Sequence, residues 1–250
     1  MFIEYSKKIN AFALDMLFPI SCLFCQKEGV WICHDCEQKI NLLPFQVCPY
    51  CEKTITQNGH ICEKCLIKRI EKNSPVSLDA LLCATEYQKI SKLVHLFKYN
   101  FIQTLGTPLG NLLIKILLKN NFSLPDIIIP VPIHKRKLKW RGFNQAEILA
   151  NIVSQNITPG LEIAIRSDML MRKKNTKAQM KIKMRKERLE NLSGAFFVQS
   201  LEQKNISEKR ILLIDDIATT GATLFECAKT LKNFGAKKVF AVVIARQEMK

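Results

Sequence analysis

Eight of the ten cysteines lie between residues 22 and 65, and all eight come as CxxC pairs: Cys22 and Cys25, Cys33 and Cys36, Cys48 and Cys51, Cys62 and Cys65. A two-residue gap lets both thiolates of one turn face a single tetrahedral ion, with Zn–S about 2.3 Å. Two pairs complete a four-thiolate site, so four pairs predict two zinc ions. Both are structural, because four thiolates leave no open position for water or substrate. The segment carries few large apolar side chains, so metal binding supplies its folding energy. A disulfide framework fits poorly without a secretion signal, and a redox CxxC usually occurs once, beside a βαβ unit. The first pair is expected to join the second and the third the fourth; cross-brace pairing stays open. His34 and His60 are spare ligands that eight cysteines make unnecessary. Cys83 and Cys227 sit in apolar contexts and read as small core residues.

With 250 residues, 48% of them apolar, the chain can hold one large domain plus an appendage. No apolar run approaches the roughly 18 to 20 residues of a spanning helix. The first 20 residues are interrupted by Glu4, Lys7, Lys8 and Asp15, unlike a signal peptide. They read as an amphipathic helix with Phe2, Ile3, Ile9, Phe12, Met16 and Leu17 facing a partner surface, a membrane-skimming helix being the alternative. A cytoplasmic location with no stable membrane insertion is expected. The net charge is +16, trimmed to about +12 by two tetrathiolate zinc centres. Such a balance attracts polyanions, whether nucleic acid or phosphorylated small molecules, although a Lys-rich solvated surface would give the same sum.

The zinc module spans 21–68, and polar "KRIEKNSPVS" reads as a linker to a domain over 78–250. There, strands are expected at "LDALLCATEY", "DIIIPVPI", "LEIAI", "AFFVQ", "RILLI" and "KVFAVVIA". Helices are expected at "ISKLVHLFKYN", "GTPLGNLLIKILLKN", "NQAEILANIVSQN" and "TLFECAKTLKNFG". His95 on the first of these helices reads as a packed or surface histidine. Continuous apolar strands alternating with helices predict an α/β domain, a parallel sheet flanked by helices. Ligands of such sheets sit beyond the carboxyl ends of the strands.

"RILLIDDIATTGATL" places Asp215 and Asp216 at such an end. Two carboxylates there can accept from vicinal hydroxyls or hold a metal through water. The turn that follows leads into a helix whose amides and positive end form a phosphate cradle, with threonine hydroxyls as extra donors. Gly221 removes a side chain where a phosphate must come close. A ribose 5-phosphate satisfies both halves. A Walker-B strand would need a G-x-x-x-x-G-K-[ST] loop, which no glycine provides. Acids capping an ordinary turn remain the plain alternative.

This signature resembles that of type I phosphoribosyltransferases, which bind phosphoribosyl pyrophosphate (PRPP). Together with "IPVPIHKRKLKWRGFNQAEILA", "RKKNTKAQ" and the four knuckles, it resembles the ComF family (ComFC-type) of competence proteins from about residue 18 onward. The resemblance implies a double zinc ribbon over 21–68, a type I phosphoribosyltransferase fold over 78–250, and a role in handling incoming DNA during natural transformation. It implies that Asp215 and Asp216 hold the ribose hydroxyls, and that Ala218, Thr219, Thr220, Gly221, Ala222 and Thr223 hold the 5-phosphate. Purine-salvage relatives carry aspartate at the place of Thr219, so this chain is nearer the orotate-type pattern.

Transfer from PRPP develops cationic character on the sugar and a polyanionic leaving group, which Mg2+ bound through substrate oxygens would partly neutralise. Cations must do the rest. Lys135 to Arg141 holds five basic residues and no acid; Arg136 and Arg141 are the candidates for pyrophosphate, helped by amides near His134. "RKKNTKAQ" is expected to form a lid, with Arg172 and Gln179 closing over the site. Asp215, Asp216, Arg141 and Arg172 form the expected catalytic set, and His134 reads as a hydrogen-bonding residue with acid–base work as the alternative. From Arg166 to Arg188 there are ten basic and two acidic residues, more than PRPP needs. Beside Trp140 and Phe143 they could track and stack single-stranded DNA. Three functions therefore stand: a phosphoribosyltransferase of unspecified acceptor, a non-catalytic PRPP or nucleotide sensor that binds single-stranded DNA or protein partners, and a zinc module that docks other competence proteins.

Overall fold

A division falls between the second and third CxxC pairs, giving units 1–41 and 42–250. The computed structural model describes residues 20–174, 192–199 and 203–247. The N-terminal helix expected over 1–20, Gln179 and most of the expected lid lie outside the described residues.

In residues 20–41, Cys22 opens a knuckle in which Gln26 N–H donates to the Cys22 carbonyl. The next helix, α1 (His34–Gln38), has Cys33 as its N-cap. In the second unit the same plan returns. A hairpin of β1 (Gln46–Val47) and β2 (Ile55–Thr56) carries Cys48 and Cys51 at its turn, and Cys62 caps α2 (Glu63–Glu71).

The apolar runs of 78–250 form one four-stranded sheet. Its strands are β3 (Ala80–Glu86), β4 (Ile127–Pro130), β7 (Arg210–Ala218) and β8 (Lys238–Arg246), in the order β3-β8-β7-β4. All neighbours are parallel. Every residue of β8 from Val239 to Ala245 is buried, as a strand covered on both faces requires. Helices α3 (Tyr87–Tyr99), α4 (Gly106–Lys119) and α6 (Gln145–Asn156) lie in chain order around β4. Two more, α5 (Lys135–Arg141) and α7 (Ala222–Asn233), complete the set used below. Contact between α4 and α6 is close because a Cβ at Gly110 would fall 2.6 Å from Ile152. The buried face of α7 sets Leu224, Cys227, Ala228 and Leu231 among Leu213, Ala241 and Val243.

Three expectations need correction. "LEIAI" makes only an isolated parallel bridge, Ile165 to Ile128, held by Ile128 N–H donating to the Ala164 carbonyl and Arg166 N–H donating to the Ile128 carbonyl. "AFFVQ" does not join the parallel sheet: β6 (Phe196–Val198) pairs antiparallel with β5 (Leu170–Arg172), so Arg172 stands on a strand and not on a lid. β7 also does not end at the acids but runs on to Ala218, where it still pairs with Arg246.

Candidate functional site

Each cysteine cluster is built from one knuckle and one helix start. In the knuckles, the residue after the second cysteine turns left-handed, Gln26 at φ 64 and Glu52 at φ 60, a conformation glycine adopts more readily. In the helices, the CxxC spacing puts both cysteines on one face, and the helix N-terminus points its positive end at the thiolates. The sulfurs of Cys22, Cys25, Cys33 and Cys36 all lie within 4.8 Å of one another, and so do those of Cys48, Cys51, Cys62 and Cys65. Cys25 and Cys33 sulfurs are 3.5 Å apart and Cys51 and Cys62 sulfurs 3.9 Å, against about 3.8 Å for a tetrahedral tetrathiolate zinc. Both sites fit structural zinc, with consecutive pairing. His34 and His60 belong to neither cluster; the His60 ring packs edge-on to Phe240. Cys83 and Cys227 are core residues, and burial pushes the Cys83 thiol up to about 12, which keeps it protonated.

A cavity of about 230 Å³ lies at the carboxyl ends of β4 and β7, lined among others by Lys98, Lys137, Arg141, Gln145, Arg172, Asp215, Asp216, Thr219 and Thr223. Its acidic pole is the pair on β7. Asp216 is buried, 5% exposed, and its Oδ1 accepts from Ile217 N–H at 2.6 Å. The same oxygen pairs with Lys98 Nζ at 2.8 Å. Asp215 Oδ1 accepts from Asp216 N–H. Burial and the adjoining Asp216 charge push Asp215 up to about 8, against the pull of Lys98. Burial alone would lower Lys98, but the charges of Asp216 and Asp215 outweigh it and raise its pKa.

The opposite pole is cationic. Burial, then the charges of Arg172, Arg141 and Lys98, hold Lys137 below the ordinary lysine range. Lys137, Arg141 and Arg172, bordered by Lys98, make a subsite that an anion would relieve. Arg141 is anchored by donating to Gln145 Oε1, and Gln145 is itself buried at the first turn of α6.

The third part is the turn. Gly221, at φ 71, is the N-cap of α7, and Thr220 Oγ1 accepts from Ala222 N–H. Thr219 and Thr223 line the cavity, whereas Ala218, Thr220 and Ala222 are buried supports of the turn. His134 caps α5 by accepting from Arg136 N–H at 3.2 Å, so that amide is already engaged. Neither His134 nor Arg136 is among the cavity's lining residues. His95 is exposed at the rim, its ring 4.8 Å from that of Tyr99. Lys98 and Lys137 are the site residues that sequence reasoning missed. Lys137 lay inside the recognised cationic run; Lys98 had no comparable signal.

A phosphoribosyl transferase domain model matches residues 141–250 and a double zinc ribbon domain model residues 13–66. The chain thus matches a double zinc ribbon model in its first part and a phosphoribosyl transferase domain model in its last. Over most of its length it is similar to the competence proteins F and ComFC. Competence protein F of Haemophilus influenzae is 28% identical over 92% of this chain and 98% of the relative. DNA utilization protein YhgH of Escherichia coli O157:H7 is 28% identical over 88% and 94%. Competence protein ComFC of Bacillus subtilis is 28% identical over 85% and 82%. Among the described residues, no helix is long and apolar enough to cross a membrane.

Proposed function

We propose that the chain binds PRPP and transfers its phosphoribosyl group to a nitrogen acceptor, in the service of natural transformation. The observation that carries this reading is one cavity with a carboxylate pair, a pole of three cations and a helix N-terminus around it. Asp216 and Asp215 accept from the ribose hydroxyls, Thr219 and Thr223 with the first turn of α7 receive the 5-phosphate, and Lys137, Arg141 and Arg172 receive the pyrophosphate. The C1–O bond breaks with its electron pair going to pyrophosphate, while the acceptor nitrogen forms the new C1–N bond and loses its proton to the leaving group. Outside the cysteine sites, no cluster of three or more metal-binding side chains occurs among the described residues. The acid pair and a bound pyrophosphate together still suit Mg2+, which takes most of its ligands from substrate oxygens and water. Mg2+ held in this way would neutralise part of the leaving charge. Reduced cysteine sites of this kind suit the cytoplasm.

Asp216→Asn is expected to weaken PRPP binding about tenfold or more, since hydrogen bonds to a charged partner contribute about 1.5–3 kcal/mol. Titration calorimetry with Mg2+ checks this, and equal affinities for wild type and variant would refute the assignment.

A second reading, binding of single-stranded DNA, is favoured by an aromatic group beside the cavity. Trp140 is 60% exposed, with Phe101 at 5.4 Å and Tyr99 at 6.4 Å between ring centroids. Exposed Lys135, Arg136 and Lys139 share its helix. Phe143 takes no part: it is buried against Phe97. Affinity for an oligonucleotide should fall steeply with salt, by about 0.7 log units per log unit of salt for each phosphate neutralised. Trp140→Ala should remove about 1–3 kcal/mol of stacking. A flat salt response excludes this surface.

A further inference from the structure

The turn that starts α7 is held from outside the sheet. A Cβ at Gly221 would meet the Phe225 ring at 3.3 Å and Arg246 Nη2 at 3.8 Å, so these two side chains bound the space behind the turn. Both also touch the second cysteine knuckle. The Phe225 ring centroid lies 4.9 Å from that of Tyr50, between Cys48 and Cys51. Arg246 Nη2 lies 2.7 Å from Oε1 of Glu52, the residue after Cys51, with side-chain exposures of 12% and 32%.

Glu52 is aimed by the knuckle itself: its N–H donates to the Cys48 carbonyl and its φ is 60. Arg246 is aimed by the sheet, opposite Ala218 in register, and the next residue, Gln247, donates to the Ala218 carbonyl. One short path thus runs from the thiolate knuckle through Glu52 and Arg246 to the backbone of residues 218–221. A surface salt bridge would contribute little; this one is mostly withdrawn from solvent and stands behind the only glycine of the turn.

We propose that Glu52 is a positioning residue for the phosphate turn, with the second cysteine knuckle as its mount. The proposal rests on reading that turn as the 5-phosphate site. It gives the second ribbon a role in ligand affinity beyond holding its own fold, and it predicts selectivity. Ribose 5-phosphate, which needs the turn, depends on Glu52; inorganic pyrophosphate, which needs the cationic pole, does not.

The test uses the full chain and its Glu52→Gln variant, whose zinc content is measured alongside calorimetry with ribose 5-phosphate and with pyrophosphate. With about two zinc per chain retained, the variant should bind ribose 5-phosphate about tenfold more weakly, within the usual range for coupled sites, and pyrophosphate as well as wild type. Equal ribose 5-phosphate affinity overturns the proposal, as does a parallel loss of both ligands, the mark of general damage. If the variant sheds zinc, Arg246→Lys, which leaves the knuckle unaltered, must show the same selective loss, and wild-type behaviour there refutes the idea. Wild type that binds ribose 5-phosphate while the variants do likewise sinks this link alone. Wild type that binds neither ligand sinks the reading of the cavity and the link with it.

Discussion

Cys62→Ser is expected to reduce bound zinc from about two to about one per chain and to lower the melting temperature of the unit 42–250 by about 10 °C. The size of the effect follows from where the second ribbon sits. β3 is an edge strand of the parallel sheet, and an uncovered edge invites pairing with other chains. Here the ribbon covers it. The Gln46 side chain donates to the Cys83 carbonyl at 3.1 Å and accepts from Cys83 N–H at 2.8 Å, taking both backbone groups of one β3 residue. Leu43 N–H donates to the Ala84 carbonyl and Ile61 N–H to Asp79, while His60 forms a bridge with Ala80. Gly59 lies so close that a Cβ there would fall 2.1 Å from the Leu81 carbonyl oxygen. Tyr50 Oη accepts from the amides of Ser77 and Leu78.

Loss of one thiolate ligand from a structural zinc site removes part of a binding free energy of about 10–16 kcal/mol. If about 4 kcal/mol of that is felt by the unit, the shift is about 10 °C, at roughly 2–4 °C per kcal/mol for this size. Metal analysis and thermal melts give both numbers. A variant with one zinc fewer that melts like wild type would show that the ribbon does not support the edge.

Much of this organisation was legible before any coordinates. The repeated CxxC spacing carries its own geometry, so two metal sites follow from local chain stiffness; which pairs join is settled only by the fold, which brings consecutive pairs together. "RILLI" and "KVFAVVIA" are apolar on both faces, which only a covered parallel strand explains. The acids and the Gly221 turn were legible because their chemistry and their order along the chain coincide.

What was not legible depends on distant partners. "HKRKLKWR" lacks an apolar stripe and reads as a cationic loop, yet it folds as α5 because His134 caps one end and Gly142, at φ 81, closes the other. Lys98 occupies a last-turn position where a lysine is ordinary for reasons of helix dipole alone; only the fold brings it over Asp216. That the second ribbon covers a sheet edge is likewise invisible, since Gln46 and Cys83 are 37 residues apart. The antiparallel pair β5–β6 escaped because "LMR" is too short to show a period.

Lys98→Met should produce the other large effect, and its dependence on pH distinguishes it from simple loss of packing. The lysine is the cation that pairs with the buried Asp216, and the other positive groups of the cavity, Lys137, Arg141 and Arg172, form the opposite pole. Removing one member of a buried pair costs about 3–5 kcal/mol because the remaining charge is left uncompensated. Lys98 keeps 21% of its side-chain exposure, so the lower end applies, about 3 kcal/mol, or roughly 6 to 12 °C. In wild type, Asp215 is already raised to about 8 by burial and by Asp216. A raised carboxyl contributes stability that is fully present below its unfolded value and is lost as pH rises through the folded one. Without Lys98, Asp215 loses the charge that opposes this shift, so the loss on raising the pH becomes larger. The melting difference between wild type and variant should therefore be smallest near pH 4, where Asp215 keeps its proton in the folded chain, and should widen steadily to pH 8.5. Pyrophosphate affinity should fall as well, since a cation bordering its pole is gone. A melting difference that stays constant across that range would mean that Lys98 supports the cavity by its methylenes and not by its charge.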